Sequence, residues 1–154
     1  MKNLKAIITI GLPASGKSSW AQSFVSKNKN YTIIERDKLR LIVLKRLRWV
    51  PQNETDIDFG KWNYKLEEWV EILTKKYIMS AKNRHNNIIM SDMNINRIYL
   101  SSSIAKLNDA GYMDIELKKF DVDINESINR DSKRKYPLGA EVITRIFESV
   151  DIEH

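Results

Sequence analysis

The sequence contains no cysteine and only two histidines, His85 and His154. Disulfides and thiolate metal sites are therefore excluded, and the histidines are too few and too scattered for a His-based site. The missing thiols fit a reducing, cytoplasmic compartment. Long hydrophobic runs are lacking too: none approaches the roughly 20 apolar residues of a membrane span, so no membrane partner is expected. The apolar run before Gly11 is short and ends in a glycine turn, unlike the core and cleavage site of a secretory signal. No Gly/Ser linker, repeat or low-complexity stretch divides the chain. At 154 residues, a single domain over 1–154 is expected. Acidic residues are in the minority, 20 against 26 Lys and Arg, for a net charge of +6. That balance favours polyanionic partners, although many basic proteins bind no nucleic acid.

What is present alternates between apolar runs and helical patterns. Residues 4–10 and 31–34 read as strands, each followed by a helical pattern, over 17–28 and from Asp37 to about Leu47. Residues 51–60 are polar and turn-rich, a long loop. Trp62, Leu66, Trp69, Leu73 and Tyr77 recur at helical spacing, which predicts core packing in preference to base stacking. Residues 87–91 form a third strand ending at Asp92, and a helix over 96–109 closes on Gly111 as C-cap. Residues 114–120 alternate as a less buried strand. A basic helical segment over 124–135 and a helix carrying Val142, Ile143, Ile146, Phe147 and Val150 flank the Pro137-Leu138-Gly139 break. Strands separated by helices predict an α/β fold, a three-layer sandwich with a mainly parallel sheet.

Between the first strand and its helix stands Gly11-Leu12-Pro13-Ala14-Ser15-Gly16-Lys17-Ser18-Ser19, a complete P-loop pattern in the context that pattern requires. Its glycines let the backbone curl past Pro13 so that successive N–H groups from Ala14 to Ser19 face phosphates, with the helix N-terminus adding partial positive charge. Lys17 is expected to reach the β- and γ-phosphates of ATP, and the Ser18 hydroxyl to ligate Mg²⁺. Motors, switches and small kinases share this loop. The short chain leaves little room for motor or switch machinery and carries no Asn-Lys-x-Asp guanine-reading motif, which favours an ATP-dependent kinase.

A kinase also needs a carboxylate for the acceptor proton and cations for the migrating charge, gathered at the carboxyl ends of parallel strands. Asp37 and Arg40 follow the second strand three residues apart: one a base and the other a phosphate grip, or a first-turn acid beside a solvated cation. Asp92 is a Mg²⁺ partner, an acceptor anchor or a helix cap. Arg130 and Arg134 sit in a cationic run expected on one helix face, either solvated or a phosphate-closing lid over about 124–138.

The P-loop with its trailing Trp20, Arg36-Asp37-x-x-Arg40, Ser91-Asp92-x-Asn94, Phe120-Asp121-Val122 and Asn129-Arg130-Asp131-Ser132-Lys133-Arg134 together resemble the kinase domain of the T-even phage polynucleotide kinase family, over nearly the whole chain. The resemblance implies a P-loop kinase-like fold with a helical lid near the C-terminus. The activity implied is transfer of the ATP γ-phosphate to 5′-OH DNA or RNA ends, with nucleic acid repair as its setting and the host cytoplasm as its place. Asp37 would be the general base, with Lys17 and Arg134 as the other catalytic residues. Arg40, Asp92 and Asn94 would bind the acceptor, and Arg130 would be a second lid cation. Met93 departs from the family's small hydroxyl residue, and Ser19 from its threonine. No Asp-x-Asp-Gly-Thr motif is present, so 3′-phosphatase activity is not expected of this chain. A kinase of a small hydroxylated metabolite, nucleoside or antibiotic and a non-catalytic ATP-binding module are the rival readings. Oligomeric state, including a homo-oligomer, is left open.

Overall fold

The computed structural model describes residues 3–46, 64–134 and 137–149. Within them the elements run β1 (Lys5–Ile10), α1 (Lys17–Lys27), β2 (Tyr31–Ile34), α2 (Arg36–Arg46), α3 (Tyr64–Asn83), β3 (Asn87–Met90), α4 (Arg97–Ala110), β4 (Asp114–Lys119), α5 (Ile124–Ser132) and α6 (Ala140–Glu148). Leu47, Trp49, the loop expected over 51–60, Trp62 and Val150 lie outside the described residues. The strands form one sheet in the order β2-β3-β1-β4, and every pairing is parallel. β3 is therefore inserted between β1 and β2, an order that local sequence pattern does not reveal.

Alternation along the strands divides the core into two layers. Ala6, Ile8, Ile34, Ile88 and Met90 pack with Leu39 and Val43 of α2, Val70 and Ile78 of α3, and Leu107 of α4. On the other face, Ile7, Ile33 and Ile89 pack beneath Trp20, Ala21 and Phe24 of α1. Helices thus cover both faces of the expected α/β sandwich. Ile88, Ile89 and Met90 are wholly buried, each contributing on the order of 2 kcal/mol of apolar burial. β4 is one of the two edge strands and is largely exposed, as its weaker alternation predicts. The Asn96 side chain caps α4 by accepting from the Ile98 and Tyr99 amides, and Gly111 is its C-cap. Among the described residues, no helix is long and apolar enough to cross a membrane.

Two expectations need correction. The α3 stripe that reaches the core is Leu66, Val70, Thr74, Ile78 and Ala81, while Trp69 and Tyr77 are about two-fifths exposed at 41% and 40%. Both aromatics sit one position before a buried residue, on the flank of the stripe and not along its centre. The second correction concerns the basic segment: α5 ends at Ser132, so Arg134 lies beyond the helix and does not share a helical face with Arg130. The cause is Asp131, wholly buried, whose carboxylate accepts from the Leu138 and Gly139 amides at 3.0 and 2.9 Å and ties the end of α5 to the start of α6. Asp131→Ala leaves those amides unpaired. The expected loss is about 2 kcal/mol of stability, read as a lower denaturant midpoint at unchanged slope.

Candidate active site

The loop between β1 and α1 has the backbone that its sequence requires. Gly16 is the N-cap of α1 at φ 98°, and the cap offers no side-chain acceptor to the first amides of the helix. Those amides stay available to an anion. A Cβ on Gly11 would stand 2.8 Å from Ser15 Oγ and 3.1 Å from Phe120 Cβ, so close packing demands glycine there too. Ala14 also has positive φ, 57°, an unusual conformation for a residue with a Cβ. Lys17 is buried beneath the loop, its ammonium donating to Gly11 O, Leu12 O and Ser15 Oγ. Burial lowers its pKa from 10.5 to about 8, with Asp92 and Asp37 opposing the shift and Arg134 adding to it. Ser18 and Ser19, in the first turn of α1, are exposed.

Those electrostatic couplings matter for the site because three residues widely separated in sequence act on one ammonium. Asp37 opens α2 just past β2. It is 58% exposed and accepts from Arg40 Nη1 at 2.6 Å. The same guanidinium forks onto Glu67 of α3, Nη2 to Oε1 at 2.9 Å and Nε to Oε2 at 3.4 Å. Arg36 meets Glu67 at 3.2 Å and Glu71 at 3.6 Å, and Lys106 of α4 meets Glu71 at 2.8 Å. A chain of alternating charges thus anchors Arg40 to three helices. Its pKa rises despite desolvation, through the hydrogen bonds it donates to Glu67 and the nearby charge of Asp37.

Asp92 follows β3 and is half-buried, one carboxylate oxygen accepting from the Arg36 amide at 2.9 Å and the other buried without a partner. Burial is the main cause that raises its pKa from 3.8 to about 6; the charge of Asp37 adds, while Arg36 and Arg40 oppose. Asn94 is a turn residue at φ 49°, its amide nitrogen donating to Thr9 O at 2.9 Å and Asp92 O at 3.3 Å. Gly11 N–H donates to Met93 O at 3.0 Å, tying this turn to the P-loop. From the other side, Ser127 of α5 donates to Pro13 O at 2.6 Å in a buried contact. Arg134 pairs with Asp131 at 3.5 Å, and Arg130 pairs with Glu126 at 2.9 Å on the exposed side of α5.

Asp37, Arg40, Asp92, Lys17 and Arg134 are therefore gathered at the carboxyl ends of the strands. Sequence reasoning missed Glu67, Glu71, Ser127 and Asp131. Ser127 and Asp131 share a helical face four residues apart, a polar pair that could have been noticed; nothing local marks Glu67. A cleft of about 930 Å³ opens at the opposite end of the sheet, by Tyr31, Asn87 and Asp114, and none of the predicted site residues lines it.

A parallel sheet whose first strand runs into a complete P-loop defines a nucleotide-binding protein of kinase-like fold. The AAA domain family matches residues 7–149, and the chain belongs to that family. Similar solved structures include a chain of the Pnkp1/Rnl/Hen1 RNA repair complex, 22% identical at TM-score 0.72, covering 97% of this chain and 46% of that one. A second structure of the Pnkp1/Rnl/Hen1 complex matches at 22% identity and TM-score 0.67, over 84% of this chain and 40% of its own. A gluconokinase from Sinorhizobium meliloti 1021 matches at 16% identity and TM-score 0.60, over 99% of this chain and 78% of its own. The likeness is one of fold, and the chain spans less than half the length of the chains it matches in the repair complexes.

Proposed function

We propose that the chain is a polynucleotide 5′-hydroxyl kinase, moving the γ-phosphoryl group of ATP onto the 5′-OH end of DNA or RNA. The contact between Asp37 and Arg40, within electrostatic reach of Lys17, carries this reading. It sets a solvent-accessible carboxylate beside a phosphate-binding fork at the mouth of the P-loop. In the reaction O5′ forms a bond to Pγ as the bond from Pγ to the ADP oxygen breaks, and the 5′-OH proton passes to Asp37. Arg40, held by Glu67, grips the phosphate next to the terminal nucleoside, while Asp92 and Asn94 hold the floor of the acceptor side. Lys17 and the amides from Ala14 to Ser19 hold the donor phosphates, while Pro13 and Gly11 shape the close turn beneath them. Arg134 closes over the phosphates from a lid across about 124–138, anchored through Ser127 and Asp131, with Arg130 as a second lid cation.

The loop fits a nucleotide with its metal: the cap of α1 is open, Lys17 is buried at its centre, and Ser18 presents a hydroxyl in the first turn. Mg²⁺ bound there by Ser18 would supply neutralisation of phosphate charge. The net charge of +6 and the fold shared with a chain of an RNA repair complex support a nucleic-acid acceptor; a cytoplasmic setting follows from the same reading.

Incubation with γ-labelled ATP, Mg²⁺ and matched 5′-OH and 5′-phosphorylated DNA and RNA oligonucleotides tests it. Label should appear on the 5′-OH oligonucleotides alone, with acceptor affinity falling steeply as salt rises. ATP binding without labelled oligonucleotide would overturn the reading and turn attention to a small hydroxylated acceptor.

A further inference from the structure

At the carboxyl end of the sheet, the face beneath α1 changes from apolar to polar in a single row. Ile7, Ile89 and Ile33 lie side by side in register and pack under α1 near Ala21. Two residues further along each strand the same face carries Thr9, Ser91 and Glu35. The ladder continues that far, since the Ser91 N–H donates to Ile34 O at 3.0 Å. Thr9 Oγ1 is satisfied by the carbonyls of Met90 and Asp92. Its two neighbours are not. Glu35 is 9% and Ser91 6% exposed, yet Glu35 Oε1 and Ser91 Oγ are buried without a hydrogen-bond partner. Lys38 meets only the other Glu35 oxygen, at 3.5 Å.

The position of α1 indicates what faces this row. Ala21 packs on Ile7 and Ile89, and Lys17 and Ser18 precede it by about one turn on the same helical side. They therefore overlie the row that holds Ser91 and Glu35. A carboxylate and a hydroxyl whose free oxygens lack partners in that place need hydrogen-bond donors, and an anionic wall repels bare phosphate. Among the described residues, no three His, Cys, Asp or Glu side chains group as direct metal ligands. Mg²⁺ keeps several of its waters when bound beside phosphates, and those polarised waters are strong donors.

We infer that Glu35 and Ser91 form the sheet-side wall of a divalent-cation site, accepting hydrogen bonds from water on the cation that Ser18 ligates. The inference rests on the nucleotide-binding role proposed for the P-loop. Glu35 and Ser91 are positioning residues in it, acting through water and touching neither nucleotide nor acceptor.

Mn²⁺ is the probe. It is titrated into the full chain saturated with ADP and followed by electron paramagnetic resonance, for the parent protein, Glu35→Gln and Ser91→Ala. Glu35→Gln should weaken Mn²⁺ binding to the ADP complex roughly tenfold or more, as losses of outer-shell partners do, and Ser91→Ala should weaken it several-fold. ADP affinity in excess chelator should stay within about twofold of the parent's, which a merely structural defect would not allow. Parent-like Mn²⁺ affinity in both variants would overturn the inference and leave the pair as a seat for ordinary buried water. If Glu35→Gln does not fold, parent-like affinity in Ser91→Ala is sufficient to overturn it. A parent protein that binds no ADP would instead overturn the nucleotide reading itself, and this inference with it.

Discussion

With Asp37 as the proposed base, Asp37→Asn is expected to lower phosphoryl-transfer turnover by roughly two or more orders of magnitude and to leave ATP affinity within about twofold. Asn keeps the shape and one acceptor oxygen, so the substitution removes proton affinity and little else. Asp37 is 58% exposed and its pairing with Arg40 is a surface contact between residues three apart on α2. Such contacts contribute about 0.2–1 kcal/mol, too little for the loss of activity to be a loss of fold. Arg40 also keeps its fork onto Glu67, at 2.9 and 3.4 Å, so the phosphate grip proposed for it is expected to survive the change. Single-turnover rates with a saturating 5′-OH oligonucleotide separate chemistry from binding. A rate within tenfold of the parent's would remove Asp37 from the role of base. An ATP affinity falling in step with the rate would assign it to the donor side.

The donor half of the site was legible from sequence because its parts are contiguous. A strand, a curled loop and a helix within about two dozen residues leave a local imprint, and Gly16 needs its positive φ whatever the distant surroundings. Gly111 and Asn96 were readable on the same grounds, since caps act within one turn. The acceptor side proposed for Asp37, Arg40 and Asp92 was legible only as a set of alternatives. Whether Asp37 is a surface acid or part of a site depends on Lys17, Asp92 and Arg134 surrounding one point, and that follows from β3 lying between β1 and β2. Glu67 was invisible for the same reason. It lies 27 residues beyond Arg40, on a helix whose apolar pattern drew attention to Trp69 and Tyr77. Arg134 was assigned to a helical face because its spacing from Arg130 is helical. The buried Asp131 ends that helix, and no local rule announces that a carboxylate will be buried on backbone amides.

Asp92→Asn makes the nucleotide-free protein more stable at neutral pH, by about 1–3 kcal/mol. In the folded protein the carboxyl titrates near pH 6, against 3.8 for the free group, because it is buried with one oxygen unpaired. A raised carboxyl pKa means the folded state holds its proton more tightly than the unfolded state does. The favourable contribution is complete below pH 3.8 and is lost as pH rises through about 6, so the ionised form is the costly one at pH 7. A shift of that size corresponds to about 3 kcal/mol at most. Lys17, whose charge Asp92 helps to hold, loses that support in the variant, which reduces the gain. Asn can still accept from the Arg36 amide through its carbonyl oxygen, so the 2.9 Å contact that orders the start of α2 is kept. Denaturant unfolding at a series of pH values should therefore give a flatter stability profile between about pH 4 and 6 for the variant, together with a higher midpoint at pH 7. An Asn variant that is less stable than the parent at pH 7 and keeps the parent's slope would contradict the burial cost assigned to this carboxylate. A carboxyl with a raised pKa between the charges of Asp37, Arg36 and Arg40 supports the place proposed for Asp92 in the site.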